Sequence, residues 1–194
     1  MFKLPLDLLR NLREIRRSIR NHKWEESEGG IVLTDQKLFV GGVFESWVND
    51  GEHAFDKNLI VTEGRNHILD VVYHGATQVS PWYIGLFKGN VTPLASWTAA
   101  NVTANSTEAT EYDETTRQEF AEAAAAAGST TNSASRAVFT MSGSITVYGA
   151  FLVSASAKSA TTGVLNAAAR FGTERAVVDD DVLNVAYTIN ATST

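Results

Sequence analysis

Acidic and histidine side chains are the residues of this chain that could bind a metal ion or transfer a proton. Asp179, Asp180 and Asp181 are consecutive carboxylates, and His67 and His74 stand seven residues apart. Calcium takes about 6–8 oxygen ligands, and a histidine site needs further ligands at helical or hairpin spacing. Neither group supplies them, so we predict a solvated turn at the aspartates, no metal site and no cofactor.

Enzyme signatures are also missing from the sequence. Glu111 and Glu114 are paired carboxylates, but they lie in a threonine-rich polar run without an apolar pocket pattern. The chain has no cysteine, which excludes disulfides, thiolate zinc sites and cysteine nucleophiles. It also lacks a G-x-S-x-G elbow, a P-loop and an H-E-x-x-H motif. We therefore predict a non-enzymatic protein without catalytic residues.

Arginines are concentrated near the start of the chain, in the stretch LLRNLREIRRSIRNHKW. Its apolar residues are spaced 4, 3 and 4 apart, and four of its arginines 3, 4 and 3 apart. This spacing predicts an amphipathic helix over residues 6–23, with an apolar and a basic face about 200° apart. The apolar face comprises Leu8, Leu12, Ile15 and Ile19, and the basic face comprises Arg10, Arg13, Arg17 and Arg20.

The charge of the chain divides at the end of this segment. Residues 1–24 hold seven basic and two acidic side chains, a net charge of +5, whereas the remaining nine basic and twenty acidic side chains give −11. Such asymmetry is typical of an interacting tail attached to an acidic body. No apolar run approaches the roughly 18 residues of a membrane span.

Four roles for the segment remain open. It could dock in a groove of a neighbouring protein with its arginines facing acidic subunits, contact packaged DNA, lie on a membrane, or pack on its own domain. The apolar stripe favours docking over DNA, and the acidic body disfavours a membrane, so we predict no membrane partner. Trp24 and Trp47 are further candidate docking residues, with packing on their own domain as the alternative.

Beyond the hinge at Gly29–Gly30, apolar and polar residues alternate in short runs separated by turn residues. We predict an N-terminal helix and extended arm over residues 1–57, followed over 58–194 by an Ig-like or jelly-roll-type antiparallel β-sandwich with one or two short helices. The first helix should begin near Thr62, capped by it, and bury Ile68, Leu69 and Val72. Residues 121–128 should form strand and loop.

The region predicted to form the sandwich contains several distinctive short sequence motifs. NLIVTEGRNHILDVVYHGATQVSPWYIGLF begins at Asn58, and RQ, TNSA, VYGAFL and DVLNVAYT follow at Arg117–Gln118, Thr131–Ala134, Val147–Leu152 and Asp181–Thr188. From Asn58 onward the chain resembles small structural proteins of tailed bacteriophages. The resemblance implies a virion protein of the collar, capsid-decoration or fibre type. It does not extend to the N-terminal segment.

Together these features predict a structural protein made in the bacterial cytoplasm and built into the virion in many copies. Its helix and arm would attach it to portal, connector or capsid proteins and to copies of itself, at the neck between head and tail. Capsid decoration is one alternative. A tail-fibre or surface-binding module is another, with the loop Ala99–Thr110 as its binding edge, although this loop has no aromatic residue for glycan stacking.

Overall fold

The computed structural model describes residues 25–27, 30–32 and 38–193. Strands β1 (Glu25–Ser27) and β2 (Gly30–Val32) pair as an antiparallel hairpin. Residues 40–191 form one compact unit. The predicted helix over 6–23, with the site residues Leu8 to Arg20, and Trp24 lie outside the described residues.

The compact unit is mainly β and is built from two sheets, as predicted. The first sheet has the order β10-β13-β3-β4, and β9 also pairs with β13. Alternation of small, aromatic and β-branched residues places one face of each strand in the core. The strands are β3 (Leu38–Val48), β4 (Ala54–Lys57), β9 (Ser129–Thr131), β10 (Ala137–Thr140) and β13 (Val182–Ser193).

The second sheet has the order β5-β12-β11-β6-β7, and β8 also pairs with β6. Its central strands β6, β11 and β12 run antiparallel to their neighbours. The strands are β5 (Leu59–Ile60), β6 (Tyr83–Phe87), β7 (Glu108–Ala109), β8 (Gln118–Glu119), β11 (Ile145–Val153) and β12 (Leu165–Val177).

The main core contains side chains of both sheets. Phe44 of β3 stacks on Tyr187 of β13 with ring centroids 4.1 Å apart, and Leu152 of β11 and Ile84 of β6 join the same cluster. A second cluster around Phe87, Phe151 and Trp97 is also fully enclosed. Trp97 is therefore a core residue. Trp82 is only partly buried and packs against the main core.

Two helices and one 3₁₀ turn (Ser133–Ser135) accompany the sheets: α1 (Thr62–Tyr73) and α2 (Val102–Ser106). The prediction that Thr62 caps α1 is wrong. Val61 is the N-cap residue, and the Thr62 hydroxyl instead accepts a hydrogen bond from Arg65. Ile68 is partly buried as predicted, but Leu69 and Val72 are exposed because α1 packs on β12 through a different face.

The arm region joins the sandwich earlier in the chain than its sequence indicated. β3 pairs with β4 and neighbours β13, so residues 40–57 belong to the first sheet. Residues 121–128 form an exposed loop with one isolated bridge, between Ala126 and Ser129. The expected loop is therefore confirmed, but the expected strand is absent from these residues.

Candidate functional site

A groove opens at one end of the sandwich, between the two sheets and beside α1. Its volume is about 260 Å³. Side chains of β3, β5, β11 and β13 reach it from the sheets, and α1 forms one wall. The side chains that shape it most are Ile68, Val71, Val72, Trp82, Phe120 and Ile189. The lining includes no lysine, arginine, aspartate or glutamate. The groove is therefore suited to apolar side chains.

The outer face of α1 continues the apolar surface beyond the groove. Leu69, Val72 and Tyr73 are spaced i, i+3, i+4, so they share one side of the helix. Their exposed fractions are 53%, 62% and 79%. Val72 also lines the groove. We call these three residues together with the groove the α1 surface. Contiguous exposed apolar residues of this kind mark interaction sites in soluble proteins.

Backbone contacts hold α1 firmly in place. Gly64 is buried against β12, and a Cβ added there would lie 2.2 Å from the carbonyl oxygen of Asn166. The Glu63 carboxylate accepts hydrogen bonds from the backbone N–H groups of Ala99, at 2.8 Å, and Leu165, at 2.7 Å. His67 meets Trp82 edge-to-face across the groove, with ring centroids 5.6 Å apart. The α1 surface is therefore part of the rigid framework.

Trp47 lies on the face of the first sheet that points away from the core, since its neighbours Ser46 and Phe44 are buried. His53 stacks on its ring at a centroid distance of 4.2 Å and an interplanar angle of 9°. The guanidinium of Arg136 lies 5.5 Å from the ring centroid. Trp47 therefore packs on its own domain, the alternative that the sequence left open.

Polar partners fix the side chains around Trp47. His53 Nδ1 lies 2.6 Å from Glu45 Oε1, and Arg136 Nε donates to Asn184 Oδ1 at 2.9 Å. The nearby Phe55 is 65% exposed. We call this group of residues the Trp47 face. The Trp47 ring and the polar side chains around it therefore have their contact partners within the domain.

Two polar residues of the quoted motifs, Arg117 and Asn132, are buried and hold loops to the sheets. Arg117 and Glu108 form a bidentate ion pair at 2.8 Å, with side chains 0% and 2% exposed. Arg117 also donates to the carbonyl of Ala155 and lies over the ring of Phe151. The Asn132 side-chain oxygen accepts a hydrogen bond from the backbone N–H of Tyr187. These residues stabilise the fold and are not accessible to a ligand.

The candidate metal residues do not converge in the described part of the chain. Asp179 and Asp180 form a turn, as predicted, and His67 contacts Trp82. Hydrogen bonds from the Val178 N–H and the Asn49 amide hold the pKa of Asp181 below its ordinary value. Within residues 25–27, 30–32 and 38–193, no three histidine or acidic side chains are placed to hold one ion.

The loop Ala99–Thr110 contains α2 and borders a shallow cleft of about 410 Å³. The aromatic residue in the cleft wall is Trp97, which is 4% exposed. The cleft therefore offers no aromatic ring face on which a sugar could stack.

Of the predicted docking residues, only Trp47 lies among the described residues. The α1 surface was missed because the sequence analysis assigned Leu69 and Val72 to the buried face. One signal was available, because Ile68, Leu69, Val71, Val72 and Tyr73 cover most of the circumference of a helix that can bury only one side. No protein-family model matches the chain, and no curated protein matches it. Across the described residues, no helix has the length and apolar character needed to cross a membrane.

Proposed function

We propose that this chain is a non-enzymatic structural protein of a tailed-phage virion. It is present in many copies, attached through its N-terminal helix and arm, with the sandwich displayed outward at the neck. The observation that carries the proposal is the α1 surface, a rigid apolar helix face and groove without a partner among the described residues. Such a surface fits a protein that functions through contacts with other proteins.

Three further features support the proposal. The chain from Asn58 onward resembles phage structural proteins in its motifs. The buried Arg117–Glu108 pair and Asn132 give these motif residues a role in stability. The charge division, +5 in residues 1–24 and −11 in the rest, suits a body that attaches through a basic segment to acidic neighbours.

Quantitative mass spectrometry of purified virions that carry this gene tests the proposal. With isotope-labelled peptides as standards, the chain should be found in several copies per particle. A protein made in infected cells but absent from gradient-purified particles would overturn it.

Immunogold labelling of the same particles tests the position. Label at the junction of head and tail agrees with the neck. Label over the whole head would establish the capsid-decoration alternative, and label at the distal tail would establish the fibre alternative. Residues of the Trp47 face, such as Phe55, are suitable for a peptide tag because they lie away from the α1 surface in sequence and are exposed.

A further inference from the structure

The α1 surface has a shape that suits side chains from a helix. Small-molecule pockets commonly measure about 300–1,000 Å³, and the groove holds about 260 Å³. It is open along α1, where Leu69, Val72 and Tyr73 extend the apolar area. A second helix laid beside α1 would cover these residues and place side chains in the groove. This is the usual way in which an amphipathic helix binds a partner.

We propose that the α1 surface of one copy binds residues 8–19 of a second copy. The inference rests on the proposed function, in which many copies assemble, and names the contact between them. Leu8, Leu12, Ile15 and Ile19 are the side chains that cover the α1 surface. The contact is heterologous, so repetition from copy to copy closes a ring or continues around the particle.

The two partners match in length. An α-helix rises about 1.5 Å per residue, so a helix with the predicted stripe from Leu8 to Ile19 would span about 17 Å, and the twelve residues of α1 span about 18 Å. The two stripes can therefore lie side by side along their whole lengths. Helices packed in this way have interaxial distances of about 8–10 Å.

The charges also match. The groove lining has no lysine, arginine, aspartate or glutamate to desolvate, which removes a large cost of burial. The basic face of the segment lies about 200° from the apolar stripe, so its arginines stay at the rim and in solvent. There they meet an acidic body with a net charge of −11. On α1 itself the exposed Asp70 and the exposed Arg65 balance each other, so the attraction comes from the body as a whole.

Because the proposed function requires many copies in contact, we take residues 8–19 to come from a second copy of the chain. Acidic bodies repel each other, and an exchanged segment places a charge of +5 at every contact between them. A segment bound to its own body would cover both its own apolar stripe and the α1 surface. It would then leave neither available to connect the copies.

Disulfide trapping tests this contact cleanly because the chain has no cysteine. One full-length chain carries Ile15→Cys, and a second, isotope-labelled chain carries Val72→Cys. After mixing and mild oxidation, mass spectrometry counts the mixed dimer. The matched control replaces Val72→Cys by Phe55→Cys, which puts an equally exposed thiol on the Trp47 face.

The mixed dimer should form at least roughly tenfold faster with Val72→Cys than with Phe55→Cys, because docking raises the effective thiol concentration toward the millimolar range. Equal rates would overturn the proposal. A chain carrying both Ile15→Cys and Val72→Cys that oxidises only within itself, at any concentration, would overturn it in favour of the chain's own segment. If virions contain the chain while trapping fails, the proposed function stands and the partner is another virion protein.

Discussion

The α1 surface and the Trp47 face are two exposed aromatic or apolar regions of one compact unit, and they differ in how their side chains are satisfied. Trp47 stacks on His53 and lies against Arg136, whose guanidinium is bonded to Asn184. Leu69, Val72 and Tyr73 project from α1 into solvent, beside a groove of about 260 Å³. The side chains of the Trp47 face have contact partners within the domain, whereas those of the α1 surface have none among the described residues.

This difference shows that a half-buried surface tryptophan is a weaker sign of an interface than an exposed apolar stripe on a helix whose other side packs on a sheet. A side chain such as Trp47 can use neighbouring strands as its partners, because cross-strand pairs lie within reach on the same sheet face. Within residues 38–193, the outer side of α1 has no such neighbours. Changes on the Trp47 face should therefore affect stability, and changes on the α1 surface should affect assembly.

The largest effect is expected from Gly64→Ala, which breaks the support of the α1 surface. The added Cβ would lie 2.2 Å from a backbone oxygen of β12, so α1 must shift. Overpacking of this kind costs about 1–3 kcal/mol, partly offset by up to about 1 kcal/mol of helix propensity. Urea unfolding should show lower stability, and light scattering should show loss of assembly. Unchanged assembly would mean that the position of α1 does not matter.

Trp47→Ala should have the next largest effect, on stability alone. The loss of the stack on His53 and of the cation–π contact with Arg136 should lower the free energy of unfolding by about 1–2 kcal/mol. The control Phe55→Ala, at an exposed position, should stay within about 0.5 kcal/mol of the parent. If Trp47→Ala dissociated the oligomer at unchanged stability, the Trp47 face would be an assembly surface, which contradicts the account.

The double variant Leu69→Ser and Val72→Ser should weaken assembly and leave stability almost unchanged, the reverse of Trp47→Ala. Both side chains are exposed, so the free energy of unfolding of the monomer should change by less than about 1 kcal/mol. The mass of the assembled form should nevertheless fall, because the apolar partner of the segment is removed. Sedimentation velocity at matched concentrations measures this. An oligomer of unchanged mass would contradict the proposed role of the α1 surface in assembly.

The smallest effect concerns the turn between β12 and β13, where Asp181 accepts a hydrogen bond from the side chain of Asn49. The pKa of Asp181 is lowered in the fold, so the contribution of its carboxylate is fully present above the ordinary value of 3.8 and is lost as pH falls through the lowered value. Asp181→Asn should reduce the loss of stability between about pH 6 and pH 3. Equal acid sensitivity of both chains, measured by urea unfolding, would contradict this.

The sequence predicted the class of fold well, because alternating runs and turn residues are strong local signals. It identified the helix near Thr62 and the turn at Asp179–Asp180. It placed β3 and β4 in an arm because the pairing of β3 with strands at the other end of the chain is non-local. The run KLFVGGVFESWV contains no local signal that it lies beside β13 in the sheet.

The candidate site was harder to predict. The stripe from Leu8 to Ile19 is visible as a periodic pattern, but its partner depends on which side of α1 packs on the sheet. That choice is made by Gly64, the residue without a side chain, and by the hydrogen bonds from Ala99 and Leu165 to Glu63. An apolar pattern that surrounds a helix cannot indicate which of its sides is left exposed.

Native mass spectrometry of the full-length chain tests the central claim most directly. The parent is compared with a full-length variant carrying Leu12→Asp and Ile15→Asp, and Trp47→Ala serves as the control. The account predicts a discrete oligomer for the parent and for Trp47→Ala, and a monomer for the double aspartate variant. A monomeric parent, or an oligomer that survives both aspartates, would contradict assembly through residues 8–19.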